Sequence, residues 1–104
     1  MKIDLLYFED CPSYRIAEQF LREALAEAGL AEPIEMIAIN NEADAQQQRF
    51  TGSPTIRFDS VDPFLPGEGA HGLGCRVFQT PEGLRGWPTK AMLREALNSI
   101  SKST

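Results

Sequence analysis

The sequence has few cysteines, no long hydrophobic run and no cluster of basic residues. Its two cysteines, Cys11 and Cys75, lie about 64 positions apart. They are too few for a disulfide-stapled scaffold and, even with His71, too few for a closed zinc site. No apolar run approaches the roughly 18 residues of a membrane span, and no lysine or arginine cluster longer than a pair occurs. We therefore expect no metal site, no membrane association and no nucleic-acid partner.

What the sequence contains is typical of one soluble globular domain, residues 1–104. The chain is 42% hydrophobic and 24% charged, with a formal net charge of -5. The amino terminus, "MKIDLLYF", runs directly into "ED" without the small-residue cleavage site of a secretory signal. We therefore expect a cytoplasmic location.

The first half of the chain predicts alternating strands and helices. Residues 2–8 are rich in leucine, isoleucine and aromatic residues, which is typical of a strand. A helix is predicted over residues 12–28, because apolar residues recur there at helical spacing and Gly29 follows as a stop signal. The predicted apolar stripe comprises Ile16, Phe20, Leu21, Ala24, Leu25 and Ala28. Residues 33–39 predict a second strand and residues 40–50 a short helix.

The second half predicts two strands and a final helix. A third strand is expected at Thr55–Phe58, followed by a loop rich in glycine and proline over residues 59–74. The predicted elements that complete the chain are a fourth strand (75–80), a turn (81–87) and a helix (88–100). The predicted order is βαβαββα, an α/β fold with a mixed four-stranded sheet and three helices. We expect the first two strands to be parallel and the last two antiparallel.

Two motifs resemble those of a known family. "F-x-x-C-P" (residues 8–12) ends a strand and opens a helix, and "G-S-P-T" (residues 52–55) leads into another strand. With glycines at Gly83 and Gly86 before the last helix, the chain resembles the thioredoxin-like superfamily, particularly its glutaredoxin-sized members. The resemblance implies a thioredoxin-like three-layer sandwich over residues 1–104. It also implies a cis peptide bond before Pro54, contact between Pro54 and Cys11, and a loop around Ser53 that aligns an extended substrate.

The position of Cys11 favours a reactive sulfur. Unpaired backbone N–H groups and the positive end of the helix dipole at a helix N-terminus favour thiolate, the nucleophilic form. The adjacent Glu9 and Asp10 act in the opposite direction, because negative charge disfavours a second anion. The sequence leaves the balance between these effects open.

A second cysteine is missing from the motif. Dithiol members of the family have C-x-x-C, whereas here the string is Cys11-Pro12-Ser13-Tyr14. We therefore predict a monothiol redox protein in which Cys11 forms a mixed disulfide. An external thiol such as glutathione, or Cys75, would clear that intermediate. The C-terminal end of the predicted fourth strand is expected at the sheet edge that carries Cys11. Cys75 begins this strand, so it is expected more than about 10 Å from that edge, beyond the roughly 7 Å between Cα atoms that a disulfide tolerates. Cys75 is thus expected to be a small buried hydrophobic residue.

The predicted site contains Cys11 as the catalytic residue, with no metal and no cofactor. Its predicted substrate-binding residues are Pro12, Ser13, Tyr14, Ser53, Pro54 and Thr55, and Cys75 is a candidate second thiol. The expected partner is a thiol or disulfide, either a protein or a small molecule. A glutathione site lacks two features of the family, a lysine before the cysteine and a Gly-Gly-Asp-like turn before the last helix.

Two alternatives stay open, and with them the question of whether the protein is an enzyme. The first is a non-catalytic thioredoxin-like binding module that engages a partner through the loop 59–74. The second is a protein that binds a soft metal ion through Cys11 and Cys75. "YFEDCP", "GSPTIRFD" and "GLGCRVF" are similar to segments of small bacterial thioredoxin-like proteins linked to organomercurial or metal resistance.

Overall fold

A computed structural model of the chain describes residues 2–50, 52–64 and 77–102. The elements in these ranges are β1 (Ile3–Tyr7), α1 (Ser13–Glu27), β2 (Ile34–Ala38), α2 (Glu42–Gln48), β3 (Thr55–Phe58), β4 (Phe78–Thr80), β5 (Gly83–Arg85) and α3 (Lys90–Lys102). The mixed α/β class and the three helices agree with the sequence pattern. Within these ranges, no helix combines the length and the apolar character needed to cross a membrane.

The main sheet has the strand order β2-β1-β3. β1 pairs in parallel with β2, with Ile3 opposite Ile34, and antiparallel with β3, with Leu6 opposite Thr55. The parallel pair joined through α1 is therefore present as predicted. β1 is the central strand, and its residues on both faces of the sheet are buried, among them Ile3, Leu5 and Leu6.

Alternation along β1 divides the core into two clusters. Ile3 and Leu5 belong to the larger cluster, which holds the buried faces of α1 and α3 together with Ile56 and Phe58 of β3. Leu6 points to the opposite face, where it packs with Ile39, Ala45 and Phe50 beside α2. The sheet thus lies between α1 and α3 on one side and the short helix α2 on the other.

The buried stripe of α1 differs from the predicted one. Ile16 is exposed and Phe20 is half-buried. The buried residues are Tyr14, Ala17, Leu21, Ala24 and Leu25. The predicted stripe is wrong at its N-terminal end, because the large ring of Tyr14 turns into the core and sets which face of the first turn is covered. It is also wrong at its last residue, because Ala28 is the exposed C-cap residue of α1.

The second half of the chain requires a correction. The predicted turn 81–87 contains β5, which pairs antiparallel with β4 in a separate two-stranded sheet. Thr80 stabilises this hairpin, because its Oγ1 donates to the Gly83 carbonyl at 2.6 Å and accepts from the Glu82 N–H at 3.1 Å. In the described part of the chain, the predicted four-stranded sheet is therefore replaced by a three-stranded and a two-stranded sheet. Residues 65–74 of the predicted loop, and 75–76 of the predicted strand, lie outside the described residues.

The end of α2 fixes the approach to β3. Arg49 adopts a left-handed conformation (φ 54°), and the Phe50 N–H donates to the Ala45 carbonyl at 2.8 Å, as in a Schellman helix end. The Arg57 guanidinium on β3 donates to the carbonyls of Gln48 and Arg49 at 2.6 and 2.9 Å. A positive charge at the C-terminal carbonyls of a helix is favourable. Arg57 therefore ties β3 to the end of α2.

Ion pairs join α1 to α3. The Lys90 ammonium lies 2.9 Å from Glu27 and 3.4 Å from Glu23, and Arg94 lies 3.0 Å from Glu27. The hydrogen bond from Lys90 lowers the pKa of Glu27, and the same contact raises the pKa of Lys90. These groups are exposed to water and ions, so the pairs mainly fix the orientation of α3 against α1.

Asp4 is a buried carboxyl in the main sheet. It is 5% exposed and stands between Glu35 on β2 and Arg57 on β3. Lys2 lies 3.9 Å away, and Oδ1 has no hydrogen-bond partner among the described residues. Burial raises the pKa of Asp4 above its ordinary value of 3.8, and Glu35 raises it further against the attraction of Lys2 and Arg57.

The shifted pKa of Asp4 predicts that its charge destabilises the fold at neutral pH. Above pH 3.8, the folded chain holds this proton more tightly than the unfolded chain, so the free energy of unfolding falls as the pH rises through the raised pKa. We expect Asp4→Asn to be more stable than wild type at neutral pH, with the difference shrinking as the pH falls to 3.8 and below. Urea unfolding at a series of pH values measures this, with Glu82→Gln on the exposed hairpin turn as the control. An Asn variant that is less stable at neutral pH would contradict the prediction.

Candidate functional site

The pairing of β1 with β3 brings two distant motifs to one edge of the sheet. Since the strands are antiparallel, the end of β1 and the start of β3 lie together, and Leu6 is opposite Thr55. Cys11 follows β1, and Ser53 and Pro54 precede β3. Cys11 Sγ lies 3.7 Å from the Ser53 carbonyl oxygen, and the Ser53–Pro54 peptide bond is cis. The expected contact between the two motifs is therefore present.

Cys11 is disulfide-bonded. Its sulfur then carries no hydrogen, so the contact with the Ser53 carbonyl is a van der Waals contact, and it becomes a weak hydrogen bond only in the reduced thiol. Cys75, the other cysteine of the sequence, lies outside the described residues. The prediction that Cys75 is a buried hydrophobic residue too far from Cys11 for a bridge therefore also lies outside the described residues.

The position of Cys11 at the start of α1 follows from a tight turn. The Cys11 N–H donates to the Phe8 carbonyl at 2.9 Å, and Pro12 is the N-cap residue. Pro12 has no side-chain oxygen, and α1 has neither a side-chain cap nor an acidic residue in its first turn. The positive end of the helix dipole is therefore uncompensated within α1 itself. Glu9 and Asp10, both exposed, are the nearest acidic residues along the chain.

Tyr14 is a packing residue rather than a surface residue at the site. It is 7% exposed, and its ring stacks on Tyr7 with the centroids 4.4 Å apart and an interplanar angle of 20°. The Arg15 guanidinium carbon lies 5.6 Å from the Tyr14 ring centroid. The structure thus gives Tyr14 a packing role in the core, and its role in substrate binding stays a prediction. Of the other two predicted residues on this side, Pro12 is exposed and Ser13 is half-buried.

The loop before β3 is buried. Ser53 and Thr55 are both 0% exposed, and Pro54 is also buried. Thr55 Oγ1 donates to the Gly52 carbonyl at 2.6 Å, which closes the loop across Pro54. The Ser53 hydroxyl is buried without a hydrogen-bond partner among the residues that the structure describes. Thr55 thus shapes the loop, and Ser53 contributes a carbonyl next to the sulfur and a buried hydroxyl in the same loop.

The site is closed in this structure. Cys11 is only 1% exposed, and the Ser53–Thr55 loop next to it is buried as well. A bulky thiol or disulfide has no direct path to a sulfur enclosed in this way. Chemistry at Cys11 therefore requires a local opening.

Two residues near the site were not identified from the sequence as positioning residues. Arg57 holds the end of α2, and its only signal in the sequence was a charged residue within a short apolar strand. Gly86 lies against Ser13, and the sequence marked it as a turn glycine without indicating that contact. In residues 2–50, 52–64 and 77–102, no three His, Cys, Asp or Glu side chains are grouped as metal ligands.

Neither a protein-family model, nor a curated protein, nor a solved structure matches this chain.

Proposed function

We propose that the protein is a thioredoxin-like thiol–disulfide redox protein that reacts through Cys11. One observation carries the proposal: Cys11 is disulfide-bonded and its sulfur lies 3.7 Å from the carbonyl of Ser53, the residue that precedes Pro54. The sequence resemblance and the placement of Cys11 at the start of a helix support the same chemistry. The substrate is a thiol or disulfide, and the predicted cytoplasmic location belongs to this proposal.

The proposed cycle uses both cysteines. In the reduced protein, the Cys11 thiolate attacks a disulfide R–S–S–R′, forms the Cys11–S–S–R bond and releases R′S⁻, which takes up a proton. The Cys75 thiolate then attacks the Cys11 sulfur, forms the disulfide within the chain and releases RS⁻. Two electrons and two protons pass from the protein to the substrate. In the monothiol route predicted from the sequence, an external thiol replaces Cys75 in the second step.

The described residues have separate roles in this proposal. The uncapped start of α1 stabilises negative charge on Cys11. The buried Ser53 hydroxyl donates to a substrate group or to the leaving sulfur. Pro54 and Thr55 hold the loop in place, and Tyr14 packs the helix start against β1.

A second candidate function follows from the burial of the site. A disulfide enclosed with Cys11 at 1% exposure also suits a non-catalytic module of the same fold, in which the disulfide is structural. Burial and a low tendency to be reduced are typical of structural disulfides. Soft-metal binding by Cys11 and Cys75 remains a third proposal, with both sulfurs as thiolate ligands.

Thiol–disulfide equilibration separates these functions. The native protein is held in dithiothreitol buffers of graded redox potential, quenched with acid and alkylated, and the fraction of dithiol is read from the mass. A redox protein is expected to interconvert reversibly within minutes while folded. A disulfide that stays oxidised until urea unfolds the chain would overturn the redox proposal and support the structural module.

Single variants assign the roles of the two sulfurs. Reduced Cys75→Ser, treated with a small disulfide, is expected to accumulate the mixed disulfide on Cys11, whereas Cys11→Ser is expected to lose exchange. A Cys75→Ser protein that turns over as fast as wild type with external thiol would instead favour the monothiol route. Uptake of one mercuric ion by the reduced protein, lost in either variant, would support the metal proposal.

A further inference from the structure

Gly86 lies against the first residue of α1. A Cβ added at Gly86 would lie 2.5 Å from Ser13 Oγ and 3.0 Å from Ser13 Cβ. Rotation of the Ser13 side chain moves Oγ away but leaves Cβ in place. Only glycine therefore allows the connection between β5 and α3 to approach the start of α1 this closely.

The residues after Gly86 are held in place by contacts with the larger core cluster and with α1. Trp87 packs against the larger core cluster, and Pro88 is buried. Thr89 Oγ1 accepts from the Met92 N–H at 3.2 Å, which caps the first turn of α3. Lys90 then pairs with Glu23 and Glu27 of α1. A side chain at Gly86 is thus not easily accommodated by moving the connection outward.

Ser13, the other residue of this contact, lies two positions after Cys11 in the sequence. Ser13 is joined to Cys11 through Pro12, whose ring fixes its own φ, observed at -68°. Cys11 is in turn held by its N–H bond to Phe8 and by its contact with Ser53. A shift of Ser13 by a few tenths of an ångström therefore alters the position of the Cys11 sulfur relative to Ser53 and the helix N-terminus.

We propose that Gly86 is a positioning residue for Cys11: its lack of a side chain lets the β5–α3 connection fix Ser13, and through Pro12 the reactive sulfur. This role rests on the proposed redox function. It acts through geometry, since Gly86 itself carries no reactive group.

The test measures how Gly86→Ala changes the dithiol–disulfide equilibrium constant of the native protein and the pH profile of Cys11 alkylation after reduction. We expect the equilibrium constant to change roughly three- to tenfold, since small displacements of reacting groups have effects of this size or larger. The same substitution is then made in the Ser13→Gly background, where both clashing atoms are absent. There, Gly86→Ala is expected to change the equilibrium constant less than about twofold.

Gly29→Ala is the matched control. Gly29 follows the end of the same helix and has φ 72°, and no heavy atom lies within 4 Å of the point that a Cβ would occupy there. Alanine at this position therefore strains the backbone far from the site. It is expected to lower the urea midpoint while leaving the equilibrium constant and the pH profile unchanged.

The outcomes separate the two proposals. If wild type does not exchange while folded, the redox function fails, and the positioning role fails with it. If wild type exchanges but Gly86→Ala has the same constant and pH profile, the positioning role alone is overturned. The same conclusion follows if Gly86→Ala has an equal effect in the presence and absence of the Ser13 side chain.

Discussion

Reduction of the Cys11 disulfide is expected to lower the free energy of unfolding by about 4 kcal/mol at 25 °C. With Cys75 as the partner, the disulfide closes a loop of roughly 65 residues, and the chain-entropy relation gives this value for such a loop. The effect acts mainly on the unfolded chain, which gains conformations once the loop opens. Since small domains have total stabilities of about 5–15 kcal/mol, the reduced protein is expected to be close to the limit of stable folding.

Equilibrium urea unfolding with and without a phosphine reductant measures this difference. The Cys11→Ser/Cys75→Ser double variant is the control, because its stability should not respond to the reductant and should match that of the reduced wild type. Wild-type curves that coincide within about 1 kcal/mol under the two conditions would contradict a disulfide that closes a long loop. Reduced protein that migrates as half of a disulfide-linked dimer would instead place the bond between two chains.

The free energy by which the disulfide stabilises the fold also determines how easily the disulfide is reduced in the proposed function. By linkage, a disulfide that stabilises the fold by about 4 kcal/mol is itself favoured roughly 10³-fold more in the folded than in the unfolded chain. A protein with this coupling is reduced only by a strong reductant, unless interactions that favour the Cys11 thiolate offset part of it. The uncapped start of α1 supplies such an interaction in the native reduced state. The urea unfolding experiment and the redox titration therefore both measure the coupling between folding and disulfide formation.

Local patterns predict most of the elements in the first half of the chain. The helix after Cys11 is predictable because apolar residues recur at helical spacing, and the short strands on either side because their residues favour extended structure. Which face of α1 is buried does not follow from the pattern, because Tyr14 and Ile16 are both apolar enough to point inward. The stack of Tyr14 on Tyr7 decides between them, and that contact depends on tertiary structure.

The hairpin of β4 and β5 shows a different limit. Each strand has only three residues, too short for a periodic signal, and the hairpin depends on hydrogen bonds of the Thr80 hydroxyl across the turn. The sequence "TPEG" does indicate a turn. It does not indicate that the residues on both sides pair with each other rather than with β3.

For the site, the sequence predicts the meeting of Cys11 with the Ser53–Pro54 loop, because strand order alone brings those segments to one edge. The burial of the Cys11 sulfur depends on how the Ser53–Thr55 loop packs beside it, which strand counting does not provide. The distance that keeps Cys75 far from Cys11 assumes a regular fourth strand from residue 75. The described strand β4 begins at Phe78, and residues 75–76 lie outside the described residues.

Phe50→Ala is expected to lower the free energy of unfolding by about 3–5 kcal/mol. Phe50 is 2% exposed and is the largest member of the smaller core cluster, which it forms with Leu6, Ile39 and Ala45. The helix α2 has only seven residues and one buried residue, Ala45, and the partly buried residues packed against the cluster are Phe8 and Ile37. Few side chains of the described residues are therefore placed to fill the space. The cavity left by alanine should therefore stay largely open, and the cost should lie in the range for large-to-small core substitutions.

The same substitution is expected to affect the site, because Phe50 anchors the chain just before the Gly52–Thr55 loop. Its backbone N–H bond to Ala45 can persist in the variant, but the loop loses the side chain that holds it against the sheet. Urea unfolding measures the stability change, and the dithiol–disulfide equilibrium under native conditions measures the effect on Cys11. Phe20→Ala is the control: Phe20 is half-buried on α1, so it should cost less and leave the equilibrium unchanged. A loss below about 1 kcal/mol for Phe50→Ala would contradict the stability prediction. An unchanged equilibrium would mean that Phe50 does not fix the loop and that Arg57 and Thr55 hold Ser53 against Cys11 without it.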